Sequence, residues 1–215
     1  MKLPYWTVAP EWKGETVAIL GGGPSLAPGD VNSLHGRMRV IAVNNAYRLA
    51  PWADLVYFSD ECWYDWHRNE KAFRRFGGWK VALANARTFA RDPSIRILQN
   101  YGNNGFCDIA DGVMTGRSSG YQAINLAAHL GVSRIILLGF DMRAVAGRTH
   151  WHMAHQRPTP PEDFGNVMLP QFANLVEPLR ARGIEVLNAT LGSAITCFPR
   201  VTLDEALGRG MRDEG

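Results

Sequence analysis

Residues 18–26 read AILGGGPSL, an apolar run that breaks into three glycines, a proline and a serine. A continuous apolar run is how a strand covered on both faces reads. A glycine turn at its end lets backbone N–H groups approach a phosphate, because no Cβ holds the ligand away. The two together point to a parallel α/β domain, in which ligands collect outside the carboxyl ends of the strands. The turn does not complete G-x-G-x-x-G, however. Counting from Gly21, the sixth residue is Leu26, so the close helix–strand contact given by a third glycine is missing. The next apolar run, RVIAV at 39–43, leads into Asn44 and Asn45 and not into the acidic residue that holds the ribose of NAD. Both departures count against a dehydrogenase. Asn44 donates and accepts, which suits a ribose or a base edge. The competing reading makes GGGPS a tight turn and Asn44-Asn45 an ordinary strand end.

Working outward, short apolar runs recur at 16–20, 39–43, 55–60, 80–84, 95–100, 134–140 and 184–190, and each predicts a strand. Helix-period segments lie between them. Residues 118–130, SSGYQAINLAAHL, place Ala123, Leu126, Ala127 and Leu130 on one stripe, begin with serine caps and end at Gly131. Residues 166–182 repeat the pattern, with Pro170 and Pro178 set to shorten or kink the helix. Alternation of β and α elements predicts a Rossmann-like, doubly wound, mostly parallel sheet of six to seven strands. We expect one domain over 1–215, with its core at 16–207 and a frayed tail, GRGMRDEG. Two stretches, 101–117 and 142–165, read as long loops, which in a compact domain are more often functional than decorative.

Composition narrows the classes of function. With 46% apolar residues the chain can bury one substantial core. Its net charge is only +3, and the basic residues are scattered apart from Arg74-Arg75 and a loose group at Arg143, Arg148 and Arg157, so no clear nucleic-acid surface emerges. Three cysteines without a C-x-x-C signal neither a disulfide framework nor a thiolate zinc site. No stretch approaches the ~20 apolar residues of a membrane span, and the N-terminus lacks a signal-peptide core. A soluble, cytoplasmic protein is expected. Neither a P-loop nor a G-x-S-x-G elbow is present.

The stretch after the strand at 134–140 carries chemistry. Asp141 follows it, and then GRTHWHMAHQRP at 147–158 sets His150, His152 and His155 within six residues. As H-x-H-x-x-H these can form a three-nitrogen zinc site with an open position. Alternatively one histidine is a general base near neutral pH, or the loop is simply solvated. Asp141 can orient a histidine, hold Mg²⁺ on a nucleotide, or cap its strand. The stretch SDECWYDWHRNEKAFRRF at 59–76 offers Trp63, Trp66, His67 and Arg74 as a stacking platform or as core and interface residues, the latter fitting a homo-oligomer.

GGGPSL, then VNNAY at 43–47, then GRSSGYQAINLAAHLG at 116–131 leading into RIILLGFDM at 134–142 resembles the MptE-like family in order and spacing. That group includes 6-hydroxymethylpterin diphosphokinases and is similar to the bacterial sialyltransferases that use CMP-sialic acid. Its short bacteriophage and prophage members resemble the chain in particular, over about residues 16–207, which would put the protein in a host cytoplasm. The resemblance implies a nucleotide or nucleotide-sugar donor of CMP or ATP type and a hydroxyl acceptor. It implies that Gly22, Gly23, Pro24 and Ser25 line phosphates or ribose, that Asn44 with Asn45 meets the nucleotide, and that Ser118, Ser119 and Gly120 present a helix N-terminus to an anion. The helix dipole independently supports the last point. The resemblance also favours a loop histidine as base, His155 before His150, over zinc; diphosphate transfer would add Mg²⁺. The expected function is glycosyl or diphosphate transfer. The alternatives are a non-catalytic nucleotide- or metabolite-binding protein and, more remotely, a zinc-dependent hydrolase using His150, His152 and His155.

Overall fold

Each of the seven apolar runs forms a strand, and an eighth joins them: β1 Thr16–Leu20, β2 Arg39–Val43, β3 Leu55–Phe58, β4 Trp79–Leu83, β5 Ile95–Asn100, β6 Gly112–Val113, β7 Arg134–Leu138 and β8 Glu185–Asn188. The computed structural model describes residues 5–84, 92–153 and 159–208. All strands pair in parallel, in the order β6-β5-β4-β3-β2-β1-β7-β8. The count corrects the expected six to seven. The extra strand, β6, is only two residues long and pairs Gln99 with Gly112, too short to leave a periodic signature in what reads as a loop.

Helices cover both faces: α1 Pro28–Asn32, α2 Glu61–His67, α3 Lys71–Arg74, α4 Ser119–His129, α5 Pro161–Asp163, α6 Val176–Ala181 and α7 Leu203–Ala206. The period of two along each strand divides the core. Val17, Ile19, Ile41, Val43, Leu55 and Tyr57 pack with α4 and with Phe172, Leu175 and Leu179 on one face. Ala18, Leu20, Val40, Ala42, Val56 and Phe58 pack with α1, α2, α3 and α7 on the other. Burial on both faces explains why the runs are continuously apolar instead of alternating. Among the described residues no helix is long and apolar enough to cross a membrane.

The segment expected as one helix at 166–182 is segmented. A π-type turn spans Phe164–Met168, 3-10 turns span Leu169–Leu175, and α6 follows. Pro170 lies in the first turn of the 3-10 piece and Pro178 in the first turn of α6, where a missing N–H leaves no ladder bond unmade. The loop at 101–117 is bolted to α4 along its length. Tyr121 Oη donates to Gly105 O at 2.6 Å, and Gln122 Nε2 to Thr115 O at 3.0 Å. Asn125, fully buried, accepts from the N–H groups of Cys107 and Met114 and returns Nδ2 to Cys107 O at 3.1 Å. A polar, glycine-rich stretch thereby becomes a fixed wall beside the carboxyl ends of β4 and β5.

Candidate functional site

The strand order reverses between β1 and β7: the chain leaves β1 toward β2 on one side and later returns to β7 on the other. A crevice opens at such a switch point, and here the glycine turn occupies it. Gly21 donates to Leu138 O at 2.7 Å and Gly23 to Gly139 O at 2.8 Å. A Cβ on Gly21 would lie 2.4 Å from Gly139 O, and one on Gly23 2.0 Å from Asp141 Oδ2 and 2.6 Å from Gly139 O, so only glycine permits this approach. Ser25 then donates from N at 3.3 Å and from Oγ at 2.8 Å to Asp141 Oδ2. The turn is therefore stitched to β7 by its own N–H groups, and Gly22 is the residue whose N–H keeps no partner among the described residues. It is a close-approach turn more than a phosphate cradle.

A cavity of about 680 Å³ lies over this turn, ample for a nucleotide with a further group attached. Gly21, Gly22, Gly23, Asn44, Asn45, Ser118, Ser119 and Gly120 line it, whereas Pro24, Ser25 and Asp141 do not. Asp141 is 2% exposed and fastened to Ser25, which makes it the anchor of the turn. The two asparagines differ. Asn45 is buried and its Oδ1 accepts from Trp63 Nε1 at 2.6 Å. Asn44 has φ +50°, and its buried Oδ1 has no hydrogen-bond partner. A left-handed non-glycine residue carrying an unsatisfied buried acceptor is a place where structure gives way to function.

The opposite wall is the N-terminus of α4. Ser118 occupies the N-cap position, but its side chain makes no capping bond, a departure from the expected serine cap. Ser119 Oγ instead pairs with Ser59 Oγ at 2.8 Å. The first-turn N–H groups of the helix remain available to an anion. Beside them stands Arg117, exposed, at φ +58°, with no ion pair in the described structure. Arg117 sits inside the quoted GRSSGY motif, and the reading of that motif passed over it; a cation immediately before a helix start was the available signal. Met142, at φ +49°, also lines the cavity. Three of the four non-glycine residues with positive φ thus meet here. Beneath the wall, Tyr57 Oη donates to Gln122 Oε1 at 2.9 Å. Burial, reinforced by Asp60, drives its phenol well above the ordinary tyrosine range, so it stays a neutral donor.

The histidine loop closes a third side. Trp151 N donates to Gly22 O at 3.1 Å, strapping the loop onto the glycine turn. His150 and His152 line the cavity with ring centroids 5.8 Å apart, and His150 Nδ1 lies 3.0 Å from Thr149 Oγ1. His155 lies outside the described residues, so two of the three members of the His150/His152/His155 triad of the zinc reading are described. No group of three His, Cys, Asp or Glu among the described residues converges to hold a metal, and Asp141, for which holding Mg²⁺ is one of three readings, is engaged by Ser25. The residues described do not fit a resident metal ion. Of the residues offered as a stacking platform at 59–76, Trp63, 3% exposed, and His67 are core residues, whereas Trp66 is half-buried and Arg74 exposed.

No protein-family model and no curated protein sequence matches the chain. Among solved structures, the fold is similar to that of the sialyltransferase CstII from Campylobacter jejuni, determined in complex with a substrate analogue, cytidine-5'-monophosphate. The match covers 88% of this chain and 86% of that one, with a TM-score of 0.58 at 14% identity.

Proposed function

We propose that the protein is a transferase that binds a nucleotide-activated sugar across the carboxyl ends of β1, β2 and β7 and passes the glycosyl group to a hydroxyl acceptor. The observation that carries the proposal is Asn44: a strained residue with a buried, unpartnered acceptor in a cavity walled by a bare glycine turn and a helix N-terminus. In this reading Asn44 and Gly22 meet the nucleoside. The free N–H groups of Ser119, Gly120 and Tyr121, with Arg117, hold the phosphate. His150, or His155, takes the proton from the acceptor hydroxyl. The acceptor oxygen bonds to the anomeric carbon, the bond from that carbon to the phosphate oxygen breaks, and the electron pair leaves on the phosphate, whose charge the helix start and Arg117 stabilise. No step runs through a metal. The cytidine-5'-monophosphate held by the structurally similar sialyltransferase supports a cytidine nucleotide as the donor moiety. Kinship with the MptE-like group, a phage origin and a cytoplasmic setting belong to the same proposal.

The test is a thermal-shift screen with CMP, CDP, UDP, GDP, ADP and ATP, each with and without Mg²⁺. A ligand at about 100 times its dissociation constant adds about 2.7 kcal/mol, roughly 5–10 °C for a chain of this length. Selective stabilisation by CMP without metal is expected. Stabilisation by ATP only with Mg²⁺ would move the reading to diphosphate transfer, and no shift with any nucleotide would remove it. Replacing His150 and His155 by alanine separates enzyme from binder: the enzyme loses turnover and keeps CMP, whereas a pure binder has no turnover to lose.

A further inference from the structure

The Asn44 Oδ1 has no hydrogen-bond partner among the described residues, so it does not hold the residue's conformation. A non-glycine residue stays in the left-handed region only where its surroundings over-determine it, so the source of the restraint lies in its neighbours. Asn44 opens the 3-10 turn Asn44–Arg48, and three other side chains of that turn are gripped. Arg48 Nη2 donates to both carboxylate oxygens of Glu70 at 2.6 and 2.7 Å. Tyr47 Oη donates to Glu70 Oε2 at 3.0 Å and lies 3.0 Å from His67 Nδ1, which leaves that nitrogen as donor to the phenol oxygen. Tyr47 is further surrounded edge-on by Trp63, His67, Phe73 and Phe76. For the Asn45 side chain, by contrast, one hydrogen bond is formed among the described residues: its Oδ1 accepts from Trp63 Nε1 at 2.6 Å in a buried setting.

We infer that the indole N–H of Trp63 positions Asn44. The bond fixes the residue directly after Asn44, hence the peptide through which the strained backbone must pass. Trp63 itself is stacked on His67 with ring centroids 4.2 Å apart and packed on Phe58 at 4.7 Å, and none of these three rings lines the cavity. The grips at Tyr47 and Arg48 are redundant; the one at Asn45 is single and adjacent. A group outside the ligand's reach thereby sets the angle at which Asn44 faces the cavity. This rests on the reading of Asn44 as a nucleotide ligand.

Trp63→Phe keeps an aromatic ring between Phe58 and His67 and removes the N–H; Asn45→Leu deletes the same bond from its other end and serves if the first variant folds poorly. Amide hydrogen exchange of the free protein is expected to quicken several-fold over residues 43–48 and to stay unchanged over 119–129. CMP affinity is expected to fall about tenfold in Trp63→Phe, the loss that one misplaced buried hydrogen bond produces. The double variant Trp63→Phe/Asn44→Ala should bind CMP no more weakly than Asn44→Ala alone, because positioning has nothing to act on once the carboxamide has gone. Unchanged exchange over 43–48, or losses that simply multiply, would overturn the inference. If the wild-type protein binds no nucleotide, the function proposed for the cavity fails by itself, and the exchange measurement still decides whether Trp63 holds this turn.

Discussion

Replacing Asn44 by glycine should make the protein more stable and its cavity less able to bind. The left-handed region costs an L-residue about 1–2 kcal/mol, with Asn at the low end, and Asn44 occupies it at φ +50°. Its buried Oδ1, without a hydrogen-bond partner among the described residues, adds a desolvation penalty of about 1–3 kcal/mol. Glycine removes both and costs about 0.5–1 kcal/mol in unfolded-state entropy. The net gain is about 1–3 kcal/mol, equivalent to a rise of about 2–12 °C in Tm for a chain of this length. Binding moves the other way. A ligand donor that loses this acceptor inside a desolvated cavity is left unpaired, which weakens affinity by about tenfold to a hundredfold. Differential scanning calorimetry and isothermal titration with CMP on one preparation read both effects. A lower Tm, or an unchanged CMP affinity, would refute the reasoning.

Gly23→Ala forces a Cβ to within 2.6 Å of the Gly139 carbonyl and 2.0 Å of Asp141 Oδ2. The carboxylate can swing but the carbonyl cannot, so a loss of about 1–3 kcal/mol and abolition of CMP binding are expected by thermal melt and titration; a variant with unchanged Tm and affinity would show that the close approach is dispensable. Arg117→Ala should leave Tm within error, because Arg117 is exposed and unpaired in the described structure, while CMP binding weakens about tenfold and loses much of its salt dependence; a variant whose CMP titration matches wild type would take Arg117 out of the anion site. His129 gives a pH signature. Burial lowers its pKa below the ordinary 6.5, so below about pH 6.5 the unfolded chain takes up a proton that the folded chain refuses, and stability declines as pH falls from there. Thermal melts of wild type and His129→Gln between pH 7.5 and 5 (roughly the span of histidine titration) should show a shallower decline in the variant; parallel curves would contradict this assignment.

The fold was legible because burial on both faces of the sheet writes an unbroken apolar run for each strand, as in TVAIL and RIILL. What escaped was β6, whose Gly112 and Val113 have no pattern of their own; the backbone flanking them is held by Asn125 of α4. The site was legible in part for the same reason. Gly22, Asn44 and Ser119, which line one cavity, sit at or just beyond element ends, and in a parallel sheet the carboxyl ends converge whatever loops follow; His150 reaches the same cavity from within the loop after β7. The use of the glycine turn was not legible: whether its N–H groups face a ligand or β7 depends on Gly139 O and Asp141, far away in sequence and across the switch point. Trp63 reads identically as platform or core until α2 is placed.

These departures share a cause. The cavity gathers Asn44, Arg117 and Met142 in left-handed backbone, conformations that a sequence optimised for stability alone would assign to glycine. Two of them are held by rigid neighbours: the Asn45–Trp63 bond for Asn44, and for Arg117 a donation from its N–H to Thr115 Oγ1, which in turn donates to Asn103 Oδ1 at 2.7 Å. Strain held in this way keeps side chains aimed before a ligand arrives, so less ordering remains to be done on binding. The well-packed two-faced sheet is what offsets the strain. On this view a substitution that loosens α2 or the 101–117 wall should act on affinity before it acts on global unfolding, since the strained residues are the first to relax when their supports go.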